Sequence, residues 1–198
     1  MKPNVILAST SAIRREILEQ AAIDFTVLAK PIDEASLKIA LLDQGESAAN
    51  IADALAEAKS RRVSMLNEGL VIGADQVMVM DDTLYDKPTS IDEARTRLLS
   101  MRGRSHDLIG AIVICENGEP VWRNLSRTRL TMRNFSENFL ETYLELEKDA
   151  VTKSVGAYRF EGPGAQLFSK VDGDFFSVLG LDLLPLLDFL RLRGAILS

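Results

Sequence analysis

Hydrophobic residues along the chain fall either into short dense runs or into longer stretches where they recur every three or four places. Residues 4–8 (Asn4-Val5-Ile6-Leu7-Ala8) form an apolar run of the buried-strand kind. Ser9-Thr10-Ser11 supplies helix N-cap candidates, and residues 12–22 keep helical spacing, with Ile13, Ile17 and Ala21 on one face and Leu18 beside them. A second strand is predicted over 25–29, and a helix over 47–66, where Ile51, Leu55 and Val63 stand among alanines and charges. Residues 70–80 are apolar on both faces, as a central strand requires. Asp81-Asp82 marks a turn and Leu84-Tyr85 a short return strand. Ser90 and Glu93 make a capping box for a helix ending near Met101, with Gly103 beyond its end. A strand over 108–115 runs into the hairpin signal Asn117-Gly118, which leads to Val121. Ser136 opens a helix to about Glu147, residues 155–160 and 166–171 read as shorter strands, and Asp182 caps a last helix ending near Gly194.

Strands and helices alternate without a strict βαβ rhythm, and the middle holds at least one hairpin. The pattern predicts an α/β fold with a mixed sheet flanked by helices. No repeat, low-complexity tract or linker interrupts it, so residues 1–198 read as one domain. A chain of 198 residues with 46% hydrophobic positions can bury a core without a disulfide or a structural metal. The lone Cys115 cannot form an internal bridge, and with no signal-peptide pattern the expected location is the cytoplasm. The most apolar stretch, 175–192, is broken by Asp182, Pro185 and Asp188, and reads as a core helix with no membrane partner. A net charge of −6 argues against nucleic acid as a partner. Any phosphate site must then be a local cluster of cations, helped by a metal.

Candidate chemistry lies in three places. From Leu7 to Arg15 a strand, a small-residue turn and a helix start meet, and the free N–H groups of a helix N-terminus favour anions. The hydroxyls there, with Arg14 and Arg15, either grip phosphate oxygens through forked hydrogen bonds or are a cap followed by an exposed basic turn. In Gly73-Ala74-Asp75-Gln76, Asp75 shares its strand face with Val71, Val77 and Val79, where an ionised carboxylate needs a cation or donors. It either holds a metal or activates water, or it is a structural acid paired with a buried arginine. The third group is Glu34, which follows a strand and is placed to complete a metal site with Asp75, Lys59 on the long helix, and Lys87 in a loop stiffened by Pro88. Taken singly, these read as solvated surface charges. His106 has no metal-ligand spacing and reads as a hydrogen-bonded structural histidine, Cys115 reads as core, and no Walker loop or dinucleotide fingerprint is present.

Taken in order, these segments resemble the Maf family of nucleotide pyrophosphatases. The matching pieces are Leu7-Ala8-Ser9-Thr10-Ser11 with Arg14-Arg15, Ile32-Asp33-Glu34, Glu57-Ala58-Lys59, Gly73-Ala74-Asp75, and Lys87-Pro88 with Glu93-Ala94. Gly103-Arg104-Ser105-His106, Gly156-Ala157-Tyr158 and Glu161-Gly162 extend the match over nearly the whole chain. The resemblance implies an elongated two-lobed fold similar to inosine triphosphate pyrophosphatases, with a cleft between the lobes. It implies hydrolysis of the α–β phosphoanhydride of a nucleoside triphosphate to the monophosphate and pyrophosphate, aided by a divalent cation (Mg²⁺ or Mn²⁺). By matching position, Asp75 is the proton acceptor or a metal ligand that positions the attacking water, and Glu34 helps bind the metal. Ser9, Arg14, Arg15, Lys59 and Lys87 hold the triphosphate. The positions that tune the base are Ile13, Gln76 and Glu161.

The Asp75-Gln76 and Glu161-Gly162 pairs look more like the branch associated with 7-methyl-GTP than the branch associated with dTTP and UTP. That branch usually carries a tryptophan where this chain has Ile13. Ala12 replaces the usual proline, Ile109-Gly110 the usual Tyr-Thr, and Ser177-Val178-Leu179-Gly180-Leu181-Asp182 the usual Asn-Val-Val-Gly-Leu-Pro. Family members are often dimers, so a homodimer is an implied partner. Two other readings compete: a nucleotide-binding regulator of cell division with vestigial hydrolysis, and a nucleotidyltransferase. The latter normally needs a glycine-rich loop, which Ser9-Thr10-Ser11 lacks.

Overall fold

Alternate residues of two neighbouring strands, Val5–Leu7 and Leu70–Met80, face two different layers, and that division sets the side of the sheet on which Asp75 lies. The computed structural model describes residues 2–197. Its contacts cluster into two compact units. The first comprises the chain up to Gln76, Ile109–Ser126 and the chain from Phe175 onward; the second comprises Val77–Leu108 and Arg127–Asp174.

The strands are β1 (Val5–Leu7), β2 (Thr26–Val27), β3 (Leu70–Met80), β4 (Thr83–Tyr85), β5 (Ser105–Glu116), β6 (Glu119–Met132) and β7 (Phe168–Asp172). They form a seven-stranded sheet in the order β2-β1-β3-β5-β6-β7, with β4 on β3. β1 pairs in parallel with β2 and β3, while β4 on β3 and β7 on β6 are antiparallel, so the sheet is mixed as expected. The helices are α1 (Ala12–Gln20), α2 (Glu34–Asp43), α3 (Ala48–Ser64), α4 (Ile91–Met101), α5 (Glu137–Glu147), α6 (Phe175–Val178) and α7 (Leu183–Leu192).

In the first unit, Val5 and Leu7 of β1 and Leu70, Ile72 and Ala74 of β3 pack with Ile17 and Leu18 of α1 and with Leu183, Leu186, Phe189 and Leu190 of α7. The intervening residues Ile6, Ala8 and Val71 pack against Val63 of α3. Side chains alternate along a strand, so Gly73 and Asp75 lie on the same side as Val71, toward α3. At Gly73 the helix comes down on the strand backbone: a Cβ there would sit 2.1 Å from the Ala56 carbonyl oxygen and 2.8 Å from Ser60 Cβ. The buried stripe of α3 (Ile51, Ala52, Leu55, Ala56, Ser60, Val63, Ser64) is small where it meets this glycine. Cys115 is buried and its sulfur lies 3.1 Å from Ser60 Oγ, a core residue as expected.

In the second unit, His106 is 1% exposed and its Nε2 lies 2.8 Å from Tyr158 Oη. Burial lowers the imidazole pKa from 6.5 to about 4, with the charge of Asp107 opposing, so the ring is neutral. Arg97 of α4, also buried, donates to the carbonyls of Asp86 and Val155 and to Glu93.

The serine caps form at Ser11, Ser90 and Ser136, and the Asp81-Asp82 and Asn117-Gly118 turns both use positive φ. Several expectations are corrected. Residues 155–160 are no strand: Arg97 and Tyr143 Oη take the carbonyls of Val155 and Ala157, and Ala157 turns left-handed at φ 59. The Ser90–Glu93 box closes one residue early, because the Glu93 carboxylate accepts from Thr89 N at 2.7 Å. β6 runs to Met132, far past Val121, with side chains alternating in exposure, so no apolar run marks it. α2 went unpredicted because it buries no residue, although Asp33 caps it by accepting from Ser36 N. Glu34 therefore begins a helix. The 175–192 stretch is two helices separated at Gly180 (φ 89), and Asp182 at the N-cap accepts from Asn124 Nδ2 at 2.8 Å in place of a helical N–H.

Two outcomes are expected. Gly73→Ala forces α3 off β3 and lowers stability by about 1–3 kcal/mol, read as a drop in Tm. His106 binds a proton more readily unfolded than folded, so stability is full above pH 6.5 and declines as pH falls toward 4, the window set by its two pKa values. His106→Gln flattens that decline in urea titrations across this range; an unchanged slope assigns it to other groups.

Candidate active site

Two charged residues interrupt two otherwise apolar or small surfaces, and those surfaces pack on each other. Asp75 lies on the α3-facing side of β3, two residues beyond Gly73 and 9% exposed. Lys59 lies between Ala56 and Ser60 in sequence, on the helix that Gly73 admits. Its ammonium reaches Asp75 Oδ1 at 2.5 Å and Glu34 Oε2, at the start of α2, at 2.8 Å. The lysine and aspartate side chains are 15% and 12% exposed, and Glu34 is half-exposed. So Lys59 is no solvated surface charge, and the cation in direct contact with Asp75 is a lysine.

Around the turn after β1, Ser9 and Ser11 are absorbed into local structure. The Ser11 hydroxyl accepts from Arg14 N, while the buried Ser9 hydroxyl accepts from Ser11 N at 3.3 Å and from Arg14 Nη1 at 3.4 Å. Arg14 turns inward. Its Nη1 donates to the Ala74 carbonyl at 2.7 Å and its Nε to the Gly180 carbonyl at 2.9 Å. Burial lowers the guanidinium pKa below its ordinary value, opposed by the charges of Asp75 and Glu34. Arg15 points the other way, half-exposed, with Glu19 3.6 Å from its Nε. The arginine pair suggested by the sequence is thus one inward clamp and one half-exposed cation beside Glu19.

Gln76 Nε2 donates to the Ser177 carbonyl at 2.8 Å, and Ile13 is partly buried against the α1–α7 core. Lys87 and Glu161 belong to the second unit, both exposed, Lys87 beside the buried Pro88. The first unit therefore brings together Ser9, Arg14, Glu34, Lys59, Asp75 and Gln76. Gly180 was missed as a site residue; the signal was that the glycine is kept in a segment that otherwise departs from the expected pattern at Ser177, Leu179 and Asp182. Its positive φ aims the carbonyl at Arg14, and a Cβ there would lie 3.3 Å from Arg14 Nη2.

Among the described residues, no group of three or more His, Cys, Asp and Glu side chains is arranged to hold a metal ion. Glu34 and Asp75 supply two carboxylates converging on one point. That donor set fits Mg²⁺, which is commonly held by one or two carboxylates and completed by water and substrate phosphates. No helix among the described residues is long and apolar enough to cross a membrane.

Arg14→Lys keeps the charge but cannot span both carbonyls. The expected loss is about 1–3 kcal/mol from unpaired buried acceptors, against a change within about 0.5 kcal/mol for Arg15→Ala. Thermal melts of the two variants compare them directly.

A family model described as Maf-like protein matches residues 4–193. The chain is 48% identical over 189 residues to a nucleoside triphosphate pyrophosphatase of Hyphomonas neptunium, covering 96% of both chains. It is 46% identical over 197 residues to a protein of the same name from Rhodospirillum rubrum, covering 99% of this chain and 98% of that one. A 7-methyl-GTP pyrophosphatase of Rhizobium meliloti is 45% identical over 197 residues, 99% of each chain. A solved dITP/XTP pyrophosphatase from Mycobacterium abscessus superposes with a TM-score of 0.40 at 11% identity, covering 67% of this chain and 75% of that one.

Proposed function

Because the chain belongs to the Maf family, we propose that it is a nucleoside triphosphate pyrophosphatase, residues 1–198 acting as one domain that splits the α–β phosphoanhydride. The observation that carries the reading is the Lys59 ammonium set between Asp75 and Glu34. A shielded carboxylate kept beside a cation suits proton transfer and metal binding, neither of which a passive nucleotide binder needs.

In this mechanism a water oxygen bonds to a phosphorus flanking the α–β bridging oxygen, the bond from that phosphorus to the bridging oxygen breaks, and the monophosphate and pyrophosphate separate. Asp75 orients the water and accepts its proton; a carboxylate offers several acceptor positions, and before substrate arrives Lys59 takes one of them at Oδ1. Arg14 fixes the strand backbone next to it through the Ala74 carbonyl, so the carboxylate is aimed before substrate arrives. Lys59 and Arg15 supply positive charge to the phosphoryl oxygens, and the Ser9 turn ahead of α1 presents the helix N-terminus to the phosphate chain. Glu34 and Asp75 would hold the divalent cation, Mg²⁺ or Mn²⁺, which when bound neutralises phosphate charge and acts as a Lewis acid.

The roles proposed for Lys87 on the phosphates, and for Ile13, Gln76 and Glu161 in choosing the base, rest on the family motif. The base we assign is 7-methylguanine, supported by the Asp75-Gln76 and Glu161-Gly162 pairs and by the 7-methyl-GTP pyrophosphatase among the relatives.

Purified protein with Mg²⁺ or Mn²⁺ is expected to release pyrophosphate from a nucleotide panel containing 7-methyl-GTP, dTTP and UTP. Asp75→Asn, folded by circular dichroism, should lose roughly two to three orders of magnitude in rate. Turnover unchanged by that substitution removes Asp75 from the chemistry.

A further inference from the structure

The ammonium of Lys59 stands between the two acids, on one oxygen of each, the position that a metal held by those same oxygens would share. It is 2.5 Å from Asp75 Oδ1 and 2.8 Å from Glu34 Oε2, whereas Mg²⁺ sits about 2.0–2.1 Å from the oxygens that hold it. One point between two carboxylates cannot hold both cations, because like charges at such separations repel strongly. Nor is the lysine a mobile surface group that drifts into the gap. Its side chain is 15% exposed, and it is carried on a helix whose small stripe is seated on Gly73.

We propose that Lys59 is a built-in competitor of the metal. In the nucleotide-free protein it occupies the carboxylate pair. The divalent cation enters that pair only together with the nucleotide, whose phosphate oxygens accept the displaced ammonium. The inference rests on the pyrophosphatase reading and deepens it: it gives Lys59 a positioning role, coupling metal to substrate, beyond its contact with phosphate. Such an arrangement keeps the shielded Asp75 compensated between turnovers and ties metal entry to the arrival of the one ligand able to take over the lysine.

The test is Mn²⁺ binding to the full chain, followed by electron paramagnetic resonance of free Mn²⁺ with no nucleotide present. Wild type should bind Mn²⁺ weakly, and Lys59→Met and Lys59→Gln should each bind it roughly tenfold more tightly or better, within the usual range of coupling between ligands. Adding an α,β-methylene nucleoside triphosphate, which cannot be cleaved at that bond, should tighten Mn²⁺ binding by wild type more than by either variant. If wild type without nucleotide binds Mn²⁺ as tightly as the variants, the competition is absent and the inference is overturned, while pyrophosphate release by wild type leaves the function standing. Should the variants fail to fold, wild type decides alone: equal Mn²⁺ affinity with and without the analogue overturns the proposal. If wild type releases no pyrophosphate with any divalent cation, the function reading fails and takes this inference with it.

Discussion

One ammonium shared by two carboxylates is the constraint around which the first unit is arranged. Asp75 and Lys59 are both largely withdrawn from water, and each makes the other tolerable. Removing one member of such a buried pair typically costs about 3–5 kcal/mol, because the remaining charge is left without compensation. A pair like this is a poor source of net stability, since well-packed apolar residues commonly do as well. Its presence in the middle of two packing surfaces therefore calls for a chemical reason, and the water activation proposed for Asp75 would supply one.

The rest of the unit sets the geometry of that pair from two sides. From α3, the small residues Ala56 and Ser60 sit directly on Gly73, which brings the helix close enough for a lysine one turn along to reach the strand. From the opposite layer, Arg14 grips the Ala74 carbonyl, so the strand is held on both sides within two residues of the acid. Gln76 adds a third tether through the Ser177 carbonyl. Asp75 is consequently flanked in sequence by residues whose backbone or side chain is already committed elsewhere.

Much of this could be read from the sequence where one residue type answers to one physical demand. Ser11, Ser90 and Ser136 announced their helices, Asn117-Gly118 its hairpin, and residues 70–80 their central strand. Asp75 stood out because a charge in an apolar strand requires compensation. What compensates it was harder to see. Lys59 lies beside the buried stripe of α3, but alanines and a serine make that stripe inconspicuous, and the lysine reads as an ordinary exposed charge. The direction of Arg14 was illegible for a related reason: sequence shows that a guanidinium is near a turn, not which way it points. The lost elements have their own causes: α2 spreads its apolar residues around the helix and buries none, and β6 is half-exposed, so neither shows a one-sided apolar stripe or a dense apolar run. Residues 155–160 failed in the opposite sense, as an apolar run whose carbonyls are taken by Arg97 and Tyr143.

The bond from Arg14 to the Gly180 carbonyl joins residues 166 positions apart. On a ribosome, the arginine is made early and waits while most of the chain is synthesised before its acceptor exists. Closing so long a loop is entropically slow to initiate but costs little more than closing one half its length. Until then Arg14 has no anchor at that end, so the nascent protein stays chemically unfinished, and any product shortened before residue 180 is born without its full clamp.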